Sequence, residues 1–210
     1  MGHVIAKALQ PRKTPVQARS LVTVDVVCEA TIQLLLSDGM RQLTTTRVAE
    51  RAGVSVGTLY QYYPNKQAVL YAVLQRHLNQ VSEAVEAACA GQCGKPLREM
   101  VEVVVHGFVE AKTARVDESR ALYEVAADLN AAELVADAGK RMRTALANML
   151  VTAADARFVD LPMVSFMFLA AMVGPTRAML EGAAPPRMLD ALPNQLNVLC
   201  LNYLQSMNGT

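Results

Sequence analysis

The spacing of apolar positions predicts helices along most of the chain. The first buried face is marked by residues recurring every three or four positions: Val27, Ala30, Thr31, Leu34 and Leu35. We expect Thr23 to cap this helix at Val24, because a threonine hydroxyl accepts a bond from a free amide of the first turn. Gly39 is expected to end it, since glycine adopts a positive φ at little cost.

Two short helical segments follow, and a glycine separates them. Thr44 or Thr45 is expected to cap the first, and Gly53 ends it with a tight turn. Ser55 then caps a helix that runs from Val56 to about Tyr63, where a proline stops it. Two short helices joined by a three-residue glycine turn are typical of a helix-turn-helix motif.

The remaining pattern predicts six longer helices and no strands. Their expected ranges are 65–88, 96–114, 117–129, 132–156, 162–182 and 188–206. Glycine and proline cluster at a few breaks instead of recurring regularly, which disfavours an all-β fold. The predicted fold class is therefore all-α, with an N-terminal helix-turn-helix domain and a C-terminal helical body.

Charge divides the chain into two parts. Residues 1–80 carry nine lysines and arginines against four acids, whereas residues 81–210 carry eleven against fifteen. A basic head on an acidic body suggests that the head binds a polyanion. Within it, residues 1–22 hold four basic residues and no acid: Lys7, Arg12, Lys13 and Arg19. We interpret this segment as a flexible tail, or as an arm that contacts DNA phosphates.

Cysteine content and the N-terminal sequence bear on compartment. The four cysteines form no dense framework, which suits a reducing cytosol, and no apolar signal segment opens the chain. We therefore expect a cytoplasmic protein. The apolar run 163–173 ends before the roughly 20 residues that a bilayer span needs. No membrane partner is predicted.

The second of the two short helices, which begins at Val56, has an outer arc of polar side chains. Leu59 is expected to face inward with Val54, and hydroxyls and amides are left on the other side, where they can contact base edges and phosphates. Gly57 lacks a Cβ, so the helix can approach the DNA backbone closely. Tyr63 is expected to pack between helices and not to be exposed on the surface. The predicted DNA-binding set is Thr45, Thr46, Ser55, Val56, Gly57, Thr58, Tyr60, Gln61, Tyr62 and Lys66.

The segment LTTTRVAERAGVSVGTLYQYYPNKQAVLYAVL, with the helix before it, resembles the DNA-binding domain of the TetR (tetracycline-repressor-like) family of bacterial regulators. The resemblance covers roughly residues 20–75. Two positions depart from the family pattern. Arg47 stands where an acid is usual, which removes a capping box with Thr44, and Tyr63 stands where phenylalanine is frequent.

The resemblance implies a homodimer that binds a palindromic DNA operator and responds to a small effector. It implies a flexible arm at 1–22, a helix-turn-helix domain at 23–67, and an effector-binding and dimerisation domain at 68–210. The helix from Asn65 to Ala88 would link reader and body. Repression is the expected outcome of operator binding.

The last two long helices are the predicted dimer interface. Apolar residues recur at every third or fourth position, and they are more numerous than a helix needs to pack against its own chain. This suggests a four-helix contact between two copies. An intrachain core is the alternative. The predicted interface residues are Phe166, Ala170, Leu192, Leu196, Leu199 and Tyr203.

Effector contacts are harder to assign from sequence. Residues 97–180 offer aromatic side chains and seven methionines, which form adaptable apolar walls. The predicted ligand-binding residues are His106, Phe108, Tyr123, Asn148 and Phe166, although each also suits an ordinary packing role. Acids are sparse on these faces, which favours a neutral or anionic hydrophobic effector.

Other chemistries have little support in the sequence. Cys89 and Cys93 lack two further ligands at zinc spacing, so no metal or other cofactor is predicted, and a redox-sensing pair remains an alternative. No phosphate loop, nucleophile elbow or paired-carboxylate motif is present, so the chain is not predicted to be an enzyme. Two rivals remain: a regulator without a small effector, controlled by a protein or by redox state, and a DNA-binding reader fused to a catalytic body.

Overall fold

The computed structural model describes the backbone of residues 18–209 and the side chains of residues 22–209. Most of the predicted basic arm lies outside these residues. The described part consists of nine α-helices and contains no strand. The helices are α1 Ala18–Gln42, α2 Thr45–Ala52, α3 Val56–Tyr62, α4 Lys66–Gln92, α5 Leu97–Thr113, α6 Val116–Asp128, α7 Ala132–Leu150, α8 Leu161–Glu181 and α9 Pro186–Ser206. The predicted all-α class is confirmed.

Helix α1 starts earlier than the capping signal indicates. It begins at Ala18, so Thr23 lies inside the helix and is not its N-cap. The predicted end of α1 agrees better with the structure, because Gly39 has a non-helical φ of 75° and interrupts the helix. A threonine hydroxyl inside a helix therefore gives a false capping signal here.

Helix α4 also extends beyond its predicted end. The expected break at Cys89 lies within α4, and the chain leaves the helix after Gln92, next to Gly94 with φ 78°. Ala87, Ala88 and Ala90 support the helix here, because alanine has the highest helix propensity. Pro96 precedes α5 as its N-cap residue without forming a side-chain cap.

The α7–α8 loop explains why α7 ends at Leu150 instead of near residue 156. The Thr152 hydroxyl accepts a bond of 2.8 Å from the Gly94 amide, and the Asp155 carboxylate accepts one of 2.7 Å from the Leu97 amide. Asp155 therefore caps α5 from 58 residues away. Helix ends need partners for their free amides, and here a distant loop supplies one.

The chain divides into two compact units. The first contains residues up to 77 together with 120–132, and the second contains 78–119 together with the residues from 133 onward. Helix α4 begins in the first unit and ends in the second. The division between the two compact units thus falls inside α4. The domain boundary between residues 67 and 68 stays a prediction.

The first unit has its own small core. Val27, Ile32, Val48 and Leu59 are all completely buried. Tyr63 joins them, as expected, and burial raises its pKa well above the ordinary value, with the neighbouring Cys28 adding to the shift. A short core of aliphatic side chains and one tyrosine thus holds α1 to α4 around the helix-turn-helix.

The second unit is built around α5. Its predicted inner face is confirmed, because all six residues are buried: Leu97, Met100, Val101, Val104, Val105 and Phe108. Helices α8 and α9 cover this face, with Phe168 and Met172 from α8 and Leu196 and Cys200 from α9 in the same cluster. The second unit therefore owns a large apolar core.

Helix α8 is long and apolar enough to cross a membrane by length and composition alone. Its most apolar window has a mean hydropathy of 1.5, and 39% of that window is buried inside the protein. The expectation that the apolar stretch is too short is corrected, since the helix continues past Gly174 and Pro175 to Glu181. One such helix is weak evidence for a membrane, because core helices of globular proteins have the same composition.

A lysine is buried at the end of α5. Lys112 is 6% exposed, and burial lowers its pKa to about 8, with the nearby positive charge of Arg177 lowering it further. The unfolded chain has the ordinary value near 10.5. The unfolded state therefore binds more protons between these two values, so this group makes the free energy of unfolding rise with pH from about 8 to 10.5.

We expect Lys112→Met to raise the free energy of unfolding at pH 7 by about 1–3 kcal/mol, because it removes a charge that burial disfavours. The variant should also lose the rise in stability between pH 8 and 10.5. Urea unfolding across this pH range measures both effects. Lys95→Met, at an exposed lysine, is the control and should change stability by less than about 0.5 kcal/mol. A destabilised Lys112→Met protein would contradict the expectation.

Candidate nucleic-acid interface

Local capping fixes the α2–turn–α3 geometry. The Thr44 hydroxyl accepts a bond from the Arg47 amide at 3.3 Å, and the Ser55 hydroxyl accepts one from the Thr58 amide at 3.0 Å. Gly53 adopts left-handed angles, φ 67° and ψ 28°, and its amide contacts the last carbonyls of α2. These features confirm the predicted caps and turn. Asn65 caps α4 in the same way, since its side-chain oxygen accepts a bond from the Ala68 amide at 2.8 Å.

Arg47 has a structural role in this interface. Its guanidinium forms an ion pair with Asp38 and donates to the Gln42 carbonyl at 3.1 Å. It therefore connects the start of α2 to the end of α1. The departure from the family pattern at this position replaces a capping box with a contact between helices, which the sequence did not predict.

All ten residues of the predicted DNA-binding set reach the surface of the first unit. Leu59 is completely buried beneath them, as expected from the helical spacing. Five are exposed: Thr46, Ser55, Gly57, Tyr60 and Gln61. Five are half-buried: Thr45, Val56, Thr58, Tyr62 and Lys66. These residues thus lie around α3, at the first turn of α2 and at the start of α4, with Leu59 alone of α3 facing the core.

Hydrogen bonds hold several of these hydroxyls in place. The Thr45 and Tyr60 hydroxyl oxygens are 3.1 Å apart and join α2 to α3, and those of Ser55 and Thr58 are 2.8 Å apart. Both pairs lie on the exposed surface. Side chains fixed in this way lose less conformational entropy when they bind a ligand.

Lys66 has a partner within the protein. Its ammonium donates to the Met40 carbonyl at 3.1 Å, near the end of α1. The sequence predicted a phosphate contact for this lysine, and the structure shows that the side chain already stabilises a helix end. A single ammonium has three donors, so a phosphate contact is compatible with this bond.

The predicted effector residues differ in exposure and in the unit to which they belong. His106 is exposed, with Nδ1 2.8 Å from the Glu102 carbonyl, and Phe108 is buried in the core of the second unit. Phe166 is exposed beneath the Arg143 guanidinium, 5.8 Å from its ring centre. Tyr123 belongs to the first unit. The predicted ligand-binding set therefore stays a prediction.

Asn148, the fifth predicted effector residue, lines an open groove of about 540 Å³ beside α7 in the second unit. The other lining residues are Glu86, Asp137, Lys140, Arg141, Thr144 and Ala145. Six of the seven lining residues have polar side chains, and these carry charges of both signs. The groove does not resemble the apolar, methionine-lined pocket that the sequence suggested.

The predicted dimer residues divide between core and surface. Leu192 and Leu196 are buried within the chain itself, so they are corrected to intrachain core residues. Phe166, Ala170 and Leu199 are exposed, and Tyr203 is half-buried. The α8/α9 apolar face is defined here by the exposed residues Met163, Phe166, Met167, Met188, Val198 and Leu199.

The two neighbouring cysteines differ in environment. Cys89 is buried, and desolvation raises its pKa to about 12, so it is protonated near neutral pH. Cys93 is exposed and its thiol lies 3.5 Å from the Cys89 carbonyl. A buried neutral thiol is a poor nucleophile, which weakens a redox role for this pair. Among the described residues, no group of three or more His, Cys, Asp or Glu side chains could hold a metal ion.

Two family models match the chain. The model for bacterial regulatory proteins of the tetR family matches residues 27–73, which include the helix-turn-helix. The model for the tetracyclin repressor-like C-terminal domain matches residues 96–204, which is about half of the chain. The two matches cover most of both compact units.

Relatives match part of the chain. Nucleoid occlusion factor SlmA of Actinobacillus pleuropneumoniae is 47% identical over 51 residues, which is 24% of this chain and 25% of the relative. The transcriptional repressor KstR of Rhodococcus jostii is 29% identical over 118 residues, 55% of this chain and 54% of the relative. The chain therefore matches a quarter to about a half of the length of these relatives.

A solved structure agrees over nearly the whole chain. The structure from Mesorhizobium loti MAFF303099, described as a TetR-family transcriptional regulator, superimposes with a TM-score of 0.76 at 13% identity, covering 91% of this chain and 100% of that one. At this identity the likeness concerns the fold. Because the family models match both the helix-turn-helix and the helical body, this chain belongs to the TetR family of bacterial transcriptional regulators.

Proposed function

We propose that this regulator is a cytoplasmic repressor that binds a palindromic operator as a homodimer and releases it when a small hydrophobic effector binds. The observation that carries the proposal is the surface of α3, where hydroxyl and amide side chains are exposed above a fully buried Leu59. Such groups contact base edges and phosphates in a major groove. Neighbouring hydroxyls already hold several of them in fixed positions.

Within this set, Gln61 is the best candidate for reading a base. Its amide is exposed, and an amide forms paired hydrogen bonds with an adenine edge. Thr58 and Tyr60 have hydroxyl partners within the protein, which suits side chains that position the helix or contact the backbone. Lys66 combines its bond to Met40 with a nonspecific phosphate contact in this proposal.

Operators selected in vitro from random DNA provide the test of DNA reading. Gln61→Ala should lose roughly 5- to 100-fold in discrimination at one base position, whereas Lys66→Gln should weaken all operators and reduce the salt slope by about one unit. Gln80→Ala, an exposed change in the second unit, is the control. If Gln61→Ala and Lys66→Gln both bind selected operators as the wild type does, α3 is not the reading surface.

Dimerisation is proposed through the α8/α9 apolar face. Six large apolar side chains are exposed on two adjacent helices, and α8 and α9 also pack closely against each other. Exposed apolar surface of this kind marks protein contacts. A second copy is the occupant that fits a regulator of palindromic DNA, because two readers must reach successive major grooves.

Leu199→Asp should convert the dimer to monomers by placing a charge in the contact, weakening association by about 30-fold or more. Sedimentation velocity and operator binding measure the two consequences. Val135→Asp changes a residue of similar exposure on α7 and should leave the dimer intact. Leu196→Asp is unsuitable as a test, since Leu196 lies in the core. A dimeric Leu199→Asp protein would exclude this face.

Effector control is proposed for the second unit. KstR of Rhodococcus jostii is named as a transcriptional repressor, and its match extends beyond the helix-turn-helix. The core of the second unit contains four buried methionines, whose flexible side chains adapt to apolar guests: Met100, Met142, Met149 and Met172. An effector would act by binding the operator-free form more tightly than the operator-bound form.

A metabolite library screened by thermal shift, followed by operator titrations with each hit, tests effector control. We expect at least one hydrophobic compound to raise the operator Kd about 100-fold, which requires about 2.7 kcal/mol of differential affinity. Compounds that bind the body but leave operator Kd unchanged would favour the regulator without a small effector. Turnover of a hit would favour the catalytic rival.

A further inference from the structure

Arg141 forms a three-point contact between two helices of the second unit. Its Nε donates to Glu86 Oε1 at 3.0 Å and its Nη2 donates to Glu86 Oε2 at 2.9 Å. Its Nη1 donates to Asn79 Oδ1 at 2.9 Å. Asn79 and Glu86 are two turns apart on α4, and Arg141 lies on α7. One guanidinium therefore spans two turns of the neighbouring helix.

The surface around this contact is open. The groove of about 540 Å³ described above has Glu86 and Arg141 in its wall, together with side chains of α7. On this side of the second unit, side chains do not fill the space between α4 and α7. The Arg141 contact therefore lies where apolar packing contributes little, and a planar guanidinium that pairs with a carboxylate at two points fixes orientation as well as distance.

The electrostatic surroundings favour the same pairing. Glu86 is the principal acceptor, and its hydrogen bond is the first cause of the raised pKa of Arg141, with the negative charge of Glu83 contributing as well. The guanidinium thus stays protonated, as arginine side chains in proteins do. Both partners are partly exposed, at 41% for Arg141 and 37% for Glu86, so salt screens their attraction.

The helix that Arg141 holds is the one that continues into the DNA-binding unit. Residues 66–77 of α4 belong to the first unit and residues 78–92 belong to the second. Asn79 and Glu86 both lie in the second part. Exposed ion pairs contribute little to global stability. The contact of Arg141 with Glu86 and Asn79 therefore matters chiefly for the position of α4.

We propose that Arg141 is a positioning residue for operator binding, which clamps the body half of α4 to α7 through Glu86 and Asn79. The inference rests on the proposed function, in which this chain binds a DNA operator. Loss of the clamp lets α4 sample other positions within the body. Operator affinity falls as the fraction of molecules in the binding-competent arrangement falls.

Arg141→Gln and Lys140→Gln are the matched pair that tests this. Both remove one positive charge from adjacent positions on α7, so they change long-range attraction to DNA almost equally. Lys140 lines the same groove and has no ion-pair partner within the described residues. We expect Arg141→Gln to raise the operator Kd roughly 2- to 30-fold above that of Lys140→Gln, the range typical of residues that couple sites.

Hydrogen exchange separates positioning from general stabilisation. In Arg141→Gln the amides of residues 78–92 should exchange faster while those of α5 and α9 keep their wild-type rates. Arg141→Lys retains the charge but not the two-point geometry, so it should behave as Arg141→Gln does. A uniform rise in exchange across the second unit would instead indicate a stabilising role only and would overturn the proposal.

Glu86→Gln provides a second variant if Arg141→Gln does not fold. It removes the carboxylate and keeps the side-chain size, and Glu83→Gln on the same helix makes the same change in charge. Equal operator affinities within either matched pair would overturn the clamp while leaving the proposed function intact. A wild-type protein that selects no operator would overturn the proposed function itself.

Discussion

The DNA-binding surface depends on the burial of Leu59. Helix α3 has seven residues, and a helix of that length has little stability in water by itself. Leu59 anchors it because its side chain is completely buried in the core of the first unit. Ser55 caps one end, and Tyr63 fixes the other by entering the core. The exposed hydroxyls and amides keep their arrangement only because these three contacts hold the helix beneath them.

The helix-turn-helix is further tied to its neighbours by two cations. Arg47 connects α2 to the end of α1 through Asp38, and Lys66 donates from the start of α4 to the Met40 carbonyl. Both contacts meet near the interruption at Gly39. A basic residue close to a DNA-binding helix therefore need not act on DNA alone, since helix ends offer carbonyls that attract the same side chains.

Helix α9 shows how a single apolar pattern can serve two surfaces. Leu192 and Leu196 pack into the core of the second unit, whereas Leu199 of the same pattern is exposed. A spacing of three and four residues covers an arc wide enough for two neighbours. Core packing takes one side of that arc, and the other side joins the exposed residues of α8. The apolar periodicity of α9 alone does not indicate which of its residues face the core and which are exposed.

The sequence determined the local structure and the family. Glycine at a left-handed turn, hydroxyls at helix starts and the spacing of apolar residues are local signals, so the α2–turn–α3 motif, its caps and the buried Leu59 followed from residues within a short span. The inner face of α5 followed in the same way. These features depend on interactions between residues close in sequence, which the order of residues displays directly.

The tertiary structure decided what distant residues do. Three contacts join helices that are separate in the sequence and meet only in the fold. They are the Asp155 cap of α5, the Arg47–Asp38 ion pair and the Arg141 contact with Glu86 and Asn79. The tertiary structure also placed His106 on the surface and Phe108 in the core, although both were predicted to contact an effector. In the same way it buried Leu196 and exposed Leu199, although both were predicted for the dimer interface. The physical reason is that burial and long-range hydrogen bonds depend on which surfaces meet, and many arrangements of helices satisfy the same periodicity.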